Sequence, residues 1–490
     1  MTAFPKFSRA QLEQLDKETL IDLVLLLQDQ LEELSQRMQR LEDQVAKQSR
    51  NSSKPPSSDG LAKPKTRSLR RSEGRKPGGQ KGHPGQTLKI AEHPDHIELH
   101  SLEHCPHCET DLAAVAVSNH MRRQVFDVPP VQMEVTEHQA EIKQCPGCHQ
   151  RVRADFPTDV TQPVQYGPRF KAQACYLNSY QLIPVARTCE LLGDFYGHAP
   201  TWSFVATANQ AIEAGSAPAV AEIRQQLLQA KVVNFDETGL RVTGQLHWLH
   251  SASTEMLTCF GLHRKRGQEA MNDIGILPLF DGWAVHDHWA SYLKFDDCKH
   301  VFCNAHHLRE LQFITDQYAQ PWADEMARLL CDIKAEVAES DEWATALSPP
   351  RLAHYRAEYD AILQRGFDLN PPTEKPMPNK RGRPKRGRPK QSPPKNLLDR
   401  LEKHKPGVLA FMADFDIPFD NNLAERDIRM VKVKQKISGA FRTFHGAQTF
   451  CALRSYISTV RKQGGNVIVA LQDALAGQPF VPLPLLTLPV

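Results

Sequence analysis

Two aspartates in strand-like runs have the types and settings that a hard divalent cation requires. Asp236 lies in KVVNFDETGLRV, where alternation places it opposite Val233 and Phe235 and presents its carboxylate from a rigid element. Asp287 ends the apolar run WAVHD. Mg2+ typically takes one or two carboxylates together with phosphate oxygens of a substrate, so the pair favours a magnesium site. Each aspartate alone has an alternative interpretation, because a lone Asp at a strand end is more often a turn or capping residue.

A third acid, Glu425, strengthens the case for metal chemistry. It follows residues 420–422, which can cap a helix, and it begins a helical stripe that continues with Arg429, Lys432 and Lys436. A carboxylate in line with cations suits phosphoryl transfer on a polynucleotide, since the cations would hold the DNA backbone in register. The alternative is an ion pair between Glu425 and Arg429 on a solvated helix.

Four cysteines form two C-x-x-C pairs, CPHC at 105–108 and CPGC at 145–148. The intervening runs QVFDV and VQMEV are strand-like, which would put the pairs at the tips of short hairpins, as in a zinc ribbon. We interpret the site as structural Zn2+, because four thiolates leave no open position for catalysis. Neighbouring histidines are the alternative ligands. The expected zinc ligands are Cys105, Cys108, Cys145 and Cys148.

Cys303 and His306 in CNAHH repeat a metal-ligand spacing, but no second ligand pair follows them. A second metal site is therefore the less favoured interpretation. We instead expect the imidazole and cationic groups of this region to surround the active site and contact the scissile phosphate. These groups are His286, His288, His306, His307 and Arg309.

The charge of the chain is nearly balanced overall but unevenly distributed. Lys and Arg number 60 against 57 Asp and Glu, yet residues 61–82, 375–390 and 426–442 carry eight, eight and six basic residues with at most one acid each. Such clusters indicate a polyanionic partner, most often nucleic acid. The chain has no apolar run of about 18 residues, so a membrane protein is not expected. We expect a cytoplasmic, nucleoid-associated protein, whose 11 cysteines are thiols or metal ligands.

The N-terminal residues have the heptad pattern of a coiled coil, followed by a basic linker. The coiled coil would make the protein a homo-oligomer, and the alternative is an amphipathic helix packed on the protein's own core. Residues 51–95 are rich in Ser, Pro, Gly and Lys and cannot bury enough apolar surface to fold alone. The apolar seam consists of Leu20, Val24, Leu27, Leu31, Leu34, Met38, Leu41 and Val45.

The rest of the chain reads as helices, then strands, then helices. Residues 165–230 predict two short helices around Gly197 and Pro200, for which a helix-turn-helix and plain helical packing both remain open. From Lys231 three meandering strands, a fourth strand, a helix-like WASYLKF and a fifth strand predict an α+β domain. Charged helical residues follow at 316–366, and helix resumes at Asn396.

These residues resemble the transposases of the insertion sequence sixty-six family from end to end. The resemblance is specific because nine separate motifs occur in order over nearly the whole chain. The motifs are NSSKPPSSDG (51–60), RKPGGQKGHPG (75–85), RRQVFDVPP (122–130), CPGC (145–148), NFDETGLRV (234–242), HDHWASY (286–292), CNAHHLREL (303–311), NNLAERDIR (421–429) and SGAFRTFHGA (438–447).

The resemblance implies a DDE transposase with a ribonuclease H-like α/β core, whose acid triad falls on Asp236, Asp287 and Glu425. Such an enzyme uses two Mg2+ or Mn2+ ions: water cleaves the element end to free a 3′-OH, which then attacks target DNA. Its partner is double-stranded DNA, as terminal repeats and as target, and a need for accessory proteins of the same element stays open. The expected domains are a coiled-coil helix (1–50), a basic linker (51–95), a zinc ribbon (96–160), a helical region (161–230), the catalytic domain with a helical insertion at about 316–396 (231–450) and a small C-terminal domain (451–490).

One departure from the expected pattern is the doubled basic unit RGRPKRGRPK, which resembles a pair of minor-groove hooks. A generic basic linker that adds only salt-dependent affinity is the alternative. For the whole protein, the alternative function is a DNA-binding regulator or a catalytically inactive relative of the transposase. The arginines of the two hooks are Arg381, Arg383, Arg386 and Arg388.

Overall fold

The structure is a computed structural model that describes residues 8–52, 88–129, 131–372 and 391–484. The chain divides into two compact units, one of Met1–Lys65, Thr158–Glu190 and Pro200–Val490, the other of Thr66–Pro157 and Leu191–Ala199. The four arginines of the doubled basic unit lie outside the described residues. None of the helices in the described ranges combines the length and apolar character of a bilayer span.

The N-terminal segment forms a short helix, α1 (Arg9–Glu13), and a long one, α2 (Lys17–Ala46). Asp16 caps α2 by accepting a hydrogen bond from the Thr19 amide at 2.9 Å. The predicted apolar seam is largely uncovered in the single chain, where Leu31 is 66% exposed and Val45 is 82% exposed. The helix is therefore confirmed, while its pairing with a second copy stays a prediction.

The second unit contains one regular hairpin, in which β1 (Ile142–Gln144) pairs antiparallel with β2 (Arg151–Arg153) around CPGC. An isolated bridge between His104 and Asp111 encloses CPHC in the same way. The prediction of strands at QVFDV and VQMEV is wrong, because both segments are irregular. Their β-branched residues have neither a paired strand nor a packed face, and Val125 is 91% exposed.

Three helices precede the central sheet: α3 (Pro168–Cys175, continued by a π turn), α4 (Val185–Tyr196) and α5 (Trp202–Leu228). Helical structure was correctly predicted here, but the expectation of two short helices is wrong, since α5 has 27 residues and continues through Pro218. Its residues Ile212 and Ala219 are buried in an apolar cluster. A helix packed in this way favours plain helical packing over a helix-turn-helix.

The central sheet has five strands in the order β5, β4, β3, β6, β7. Strands β3 to β5 form an antiparallel meander, and β6 and β7 continue the sheet parallel to β3. The five predicted strand runs are confirmed, but WASYLKF contributes only a single 3-10 turn at Tyr292–Lys294. A helix between β5 and β6, α6 (Gln268–Ile274), was not predicted. The strands are β3 (Val232–Val242), β4 (Gln245–Ser253), β5 (Thr258–His263), β6 (Trp283–His286) and β7 (Lys299–Phe302).

A helical segment follows β7 and has its own core around Trp322, Tyr359 and Leu398. This agrees with the helical character predicted for the region between Asp287 and Glu425. Its helices are α7 (Asn304–Tyr318), α8 (Pro321–Glu339), α9 (Pro349–Leu369), α10 (Pro393–Lys403), α11 (Lys405–Val408) and α12 (Ala410–Ala413).

Three helices complete the first unit: α13 (Asn422–Ser438), α14 (Phe444–Lys462) and α15 (Val467–Leu475). Helix α13 packs on β3 and β4, and α14 packs on β5 and α5. Helix α14 runs across the boundary expected at residue 450, so the C-terminal segment continues the core of this unit. The division into six domains stays a prediction.

Candidate active site and metal ligands

The parallel pairing of β3 with β6 brings the two aspartates to one edge of the sheet. Asn234 pairs with Val285, and Asp236 and Asp287 each lie two residues beyond that pair. The carboxyl ends of adjacent parallel strands meet at one edge, where open α/β sheets commonly bind ligands. One oxygen of each carboxylate accepts a backbone amide, from Glu237 to Asp236 at 2.8 Å and from Trp289 to Asp287 at 2.9 Å.

Asn421 holds the start of α13 against the same edge. Its side-chain amide donates to the Phe235 carbonyl at 2.8 Å and its side-chain oxygen accepts from Asn234 at 2.9 Å. Its backbone amide donates to the Cys303 sulfur at 3.2 Å. Because Asn421 is 2% exposed, these bonds are shielded from water. They place Glu425, one turn further along α13, beside the strand that carries Asp236.

The charges of three other acids act on the buried carboxylate of Asp236. Burial raises the pKa of Asp236 well above its usual value, and the charge of neighbouring Glu237 raises it further, as do the charges of Asp287 and Glu425. A divalent cation would offset this repulsion. Among the described residues the three carboxylates do not form a closed ligand group, because their oxygens do not all lie within 4.8 Å of one another.

Two polar atoms at this site are buried without a hydrogen-bond partner, Glu425 Oε1 and His306 Nδ1. They lie 4.0 Å apart. Burial lowers the pKa of His306 and the charge of Arg309 lowers it further, whereas Glu425 and Asp287 act in the opposite direction. Buried polar atoms are normally satisfied, so the Glu425 carboxylate has an unused bonding position on the side that faces His306.

The expectation that several histidines contact the scissile phosphate is wrong for His286 and His307, which are fully buried. The His286 ring stacks on Tyr292 with centroids 4.4 Å apart, and burial lowers its pKa to about 3. His307 is hydrogen-bonded to Asn304 at 2.9 Å and contacts His288. Both rings are therefore enclosed, and burial keeps them neutral.

The predicted cationic residues of α13 lie on the exposed side of the helix. Arg429, Lys432 and Lys436 are exposed, and Lys432 donates to the Gly239 carbonyl of β3 at 2.8 Å. The alternative ion pair between Glu425 and Arg429 is absent from these described residues, and the structure places Glu425 beside His306 instead. Arg309 is half-buried.

Glu237, which the sequence analysis did not identify, lies on the opposite face of β3 from Asp236. Its side chain is 2% exposed and bonds to Arg266 at 2.5 Å and to the Tyr292 hydroxyl. The Arg266 guanidinium lies 4.0 Å from the centroid of Trp289. Burial raises the pKa of Glu237. The sequence signal was the adjacency of two acids in NFDE, which alternation splits between the two faces of the strand.

The two C-x-x-C pairs have the same local geometry. In each, the first cysteine amide donates to the residue five positions on at 2.9 Å, and Glu109 and His149 take the left-handed conformation at equivalent positions. Hydrogen bonds lower the pKa of Cys108, chiefly from Thr110, and of Cys145, chiefly from the Cys148 amide. The donors and turns fit Zn2+, although the four sulfurs do not all lie within 4.8 Å of one another in these described residues.

Comparison with known families agrees with this description. A family model described as "Transposase IS66 family" matches residues 163–449, which include Asp236, Asp287 and Glu425. A model of the zinc-finger binding domain of transposase IS66 matches residues 103–149, and a family of unknown function (DUF6444) matches residues 5–89. No curated protein matches the chain. The first match spans more than half of the 490 residues and confirms the resemblance, so the chain belongs to the IS66 family of transposases.

Proposed function

We propose that this protein is a DDE transposase that binds the ends of an insertion sequence and catalyses metal-dependent DNA cleavage and strand transfer. Its catalytic carboxylates are Asp236, Asp287 and Glu425. The observation that carries the proposal is the register of β3 on β6, which brings Asp236 and Asp287 to equivalent positions, together with the Asn421 bonds that hold the helix of Glu425 against β3. Carboxylates that repel one another at a buried sheet edge are destabilising without a cation, and such sites are commonly functional.

The sheet supports a ribonuclease H-like core. An antiparallel meander of three strands continues through β3 into two parallel strands, with helices α13 and α5 against the meander. In this arrangement two acids come from adjacent central strands and the third from a helix that packs on them. The family match covers the whole of this region.

The chemistry is phosphoryl transfer at the DNA backbone. Two bound Mg2+ ions would act as Lewis acids toward the attacking and leaving oxygens. Asp236, Asp287 and Glu425 would hold them, and backbone hydrogen bonds to Asp236 and Asp287 orient these two carboxylates before DNA arrives. Exposed Arg429 and Lys436 extend from the same helix as Glu425 and would hold phosphates along the strand.

Other parts of the chain would recognise and join the two element ends. The zinc finger, the basic linker at 51–95 and the doubled RGRPK unit are the proposed contacts to double-stranded DNA at the nucleoid. The uncovered seam of α2 supports pairing of two copies through a coiled coil. If deletion of residues 1–48 left paired-end assembly unchanged, this assignment of α2 would be wrong.

The test is nicking of a labelled duplex that carries the inverted repeat flanking the gene, in Mg2+ or Mn2+. We expect Asp236→Ala, Asp287→Ala and Glu425→Ala to lose activity while retaining DNA affinity. Glu358→Gln, on the surface of α9, is the control and should match wild type. The rival function, a DNA-binding regulator, predicts tight binding and no nicking by any of the five proteins. Equal nicking by all of them would refute the assignment of the three acids.

A further inference from the structure

A cysteine, a histidine and a glutamate from the starts of two helices converge beside the proposed catalytic edge. One ligand atom each of Cys303, His306 and Glu425 lies within 4.8 Å of the other two. Cys303 directly follows β7 and is the N-cap residue of α7. His306 is in the first turn of α7, and Glu425 is in the first turn of α13. No other group of three or more such ligands was found among the residues that the structure describes.

Two of the three atoms have unmet bonding capacity. Glu425 Oε1 and His306 Nδ1 are buried, have no hydrogen-bond partner and are 4.0 Å apart, too far for a direct hydrogen bond. Buried polar atoms in folded proteins are normally satisfied. The gap between them therefore has the size and polarity of a site for a small bridging species.

The Cys303 sulfur already accepts a hydrogen bond from the start of α13. Cys303 Sγ accepts the backbone amide of Asn421 at 3.2 Å, at the positive end of the α13 dipole.

We propose that Cys303, His306 and Glu425 form a binding site for a borderline-soft divalent cation such as Zn2+, which joins the start of α7 to the start of α13. Thiolate, imidazole and carboxylate together suit Zn2+, whereas Mg2+ prefers oxygen ligands alone. The thiol proton is released to solvent on binding. This ion is distinct in ligand chemistry from the Mg2+ pair, with which it shares Glu425, and from the zinc of the finger.

The bound ion would position Glu425. One oxygen of the carboxylate would be engaged by the ion, and the other would remain directed to the catalytic edge. The bonds of Asn421 and Asp427 hold the start of α13, and the ion would add a bond to the Glu425 side chain itself.

The experiment is metal analysis of the full chain after dialysis against buffered free Zn2+. Wild type is compared with Cys303→Ser and His306→Gln, and with the control Cys331→Ser, whose half-buried thiol on α8 lies outside the group. We expect one ion fewer per chain in Cys303→Ser and His306→Gln, and the wild-type count in Cys331→Ser. The finger contributes equally to all four proteins.

A second measurement covers the case in which Cys303→Ser fails to fold. After loading with Co2+, the difference spectrum between wild type and His306→Gln should contain a ligand-field band with thiolate charge transfer. Far-UV circular dichroism of each variant establishes folding. Equal metal counts in wild type and folded Cys303→Ser would overturn the proposal and indicate a bridging water. Metal binding is measured without DNA, so the two proposals can fail separately. If wild type never nicks DNA but holds one ion more than Cys303→Ser, the proposed function is rejected and this site is retained.

Discussion

Replacement of Asp427 is predicted to destabilise the first unit, because this residue connects α13 to the sheet and to α14. A single oxygen, Oδ2, accepts from Ser253 at 2.8 Å, from Thr258 at 3.0 Å and from Lys462 at 2.8 Å. The side chains of Asp427 and Lys462 are 16% and 14% exposed, so the pair is largely shielded from water. Asp427 lies two residues after Glu425, and the same bonds therefore fix the helix that carries the third acid.

The expected loss of unfolding free energy depends on which buried groups each substitution leaves without a partner. Asp427→Ala leaves the Lys462 ammonium bonded only to the Thr254 and Leu257 carbonyls, and breaking a buried pair in this way costs about 3–5 kcal/mol. Residual exposure puts the expected loss near the lower end, about 3 kcal/mol. Asp427→Asn keeps an acceptor for the hydroxyls and should cost about 1–2 kcal/mol, the difference between charged and neutral hydrogen bonds.

The assay is urea unfolding followed by tryptophan fluorescence. All six tryptophans lie in Pro200–Val490, so the signal reports the first unit. Combining Asp427→Leu with Lys462→Met removes both charges. We expect the double variant to lose about 2 kcal/mol less unfolding free energy than the two single variants lose together. Asp368→Ala, on the exposed surface of α9, is the control and should stay within about 0.5 kcal/mol of wild type. An Asp427→Ala midpoint equal to that of the control would refute the reasoning.

Three further predictions concern other parts of the molecule. The pKa of Asp236 in the folded protein is raised above its ordinary value of 3.8, so the folded protein loses stability as the pH rises above 3.8. Metal-free Asp236→Asn should therefore have a higher melting temperature than wild type at pH 7.5, and the difference should shrink toward pH 4. A difference that does not change with pH would contradict the raised pKa. A Cβ on Gly215 would lie 2.0 Å from the Ala474 carbonyl oxygen, so Gly215→Ala should cost at least about 1–3 kcal/mol in urea unfolding, whereas Gly167→Ala, which meets nothing within 4 Å, should cost under about 0.5 kcal/mol. Lys436→Gln should weaken DNA binding uniformly across sequences and lower the salt slope by about 1, measured by fluorescence anisotropy, and a sequence-selective loss would contradict a phosphate contact.

Local patterns were sufficient for the strands and for the polarity of α13. Alternation in NFDETGLRV separated the apolar face of β3 from the face that carries Asp236, and Ala424, Ile428 and Val431 are buried as the stripe predicted. These features depend on periods of 2 and 3.6 residues, which a sequence displays directly.

The supports of the site depend on contacts between distant residues, which the sequence does not display. Asn421 was recognised only as a capping residue, although it bonds to Asn234, Phe235 and Cys303 from more than 100 positions away. The β-branched run at VQMEV predicted a strand, but with no partner strand it remains irregular. Burial likewise separates His306, whose side chain is 16% exposed, from the fully buried His307 beside it, a difference that their shared motif conceals.

The central claim is that Asp287, together with Asp236 and Glu425, holds a divalent cation at the edge of the sheet. Replacement of Asp287 by cysteine tests this claim directly. Thiolate is a poor ligand for Mg2+ and a better one for Mn2+. Asp287→Cys should therefore fail to nick an element end in Mg2+ and regain part of its activity in Mn2+, while Asp273→Cys on the exposed end of α6 behaves as wild type in both. Full activity of Asp287→Cys in Mg2+ would contradict a ligand role for this residue.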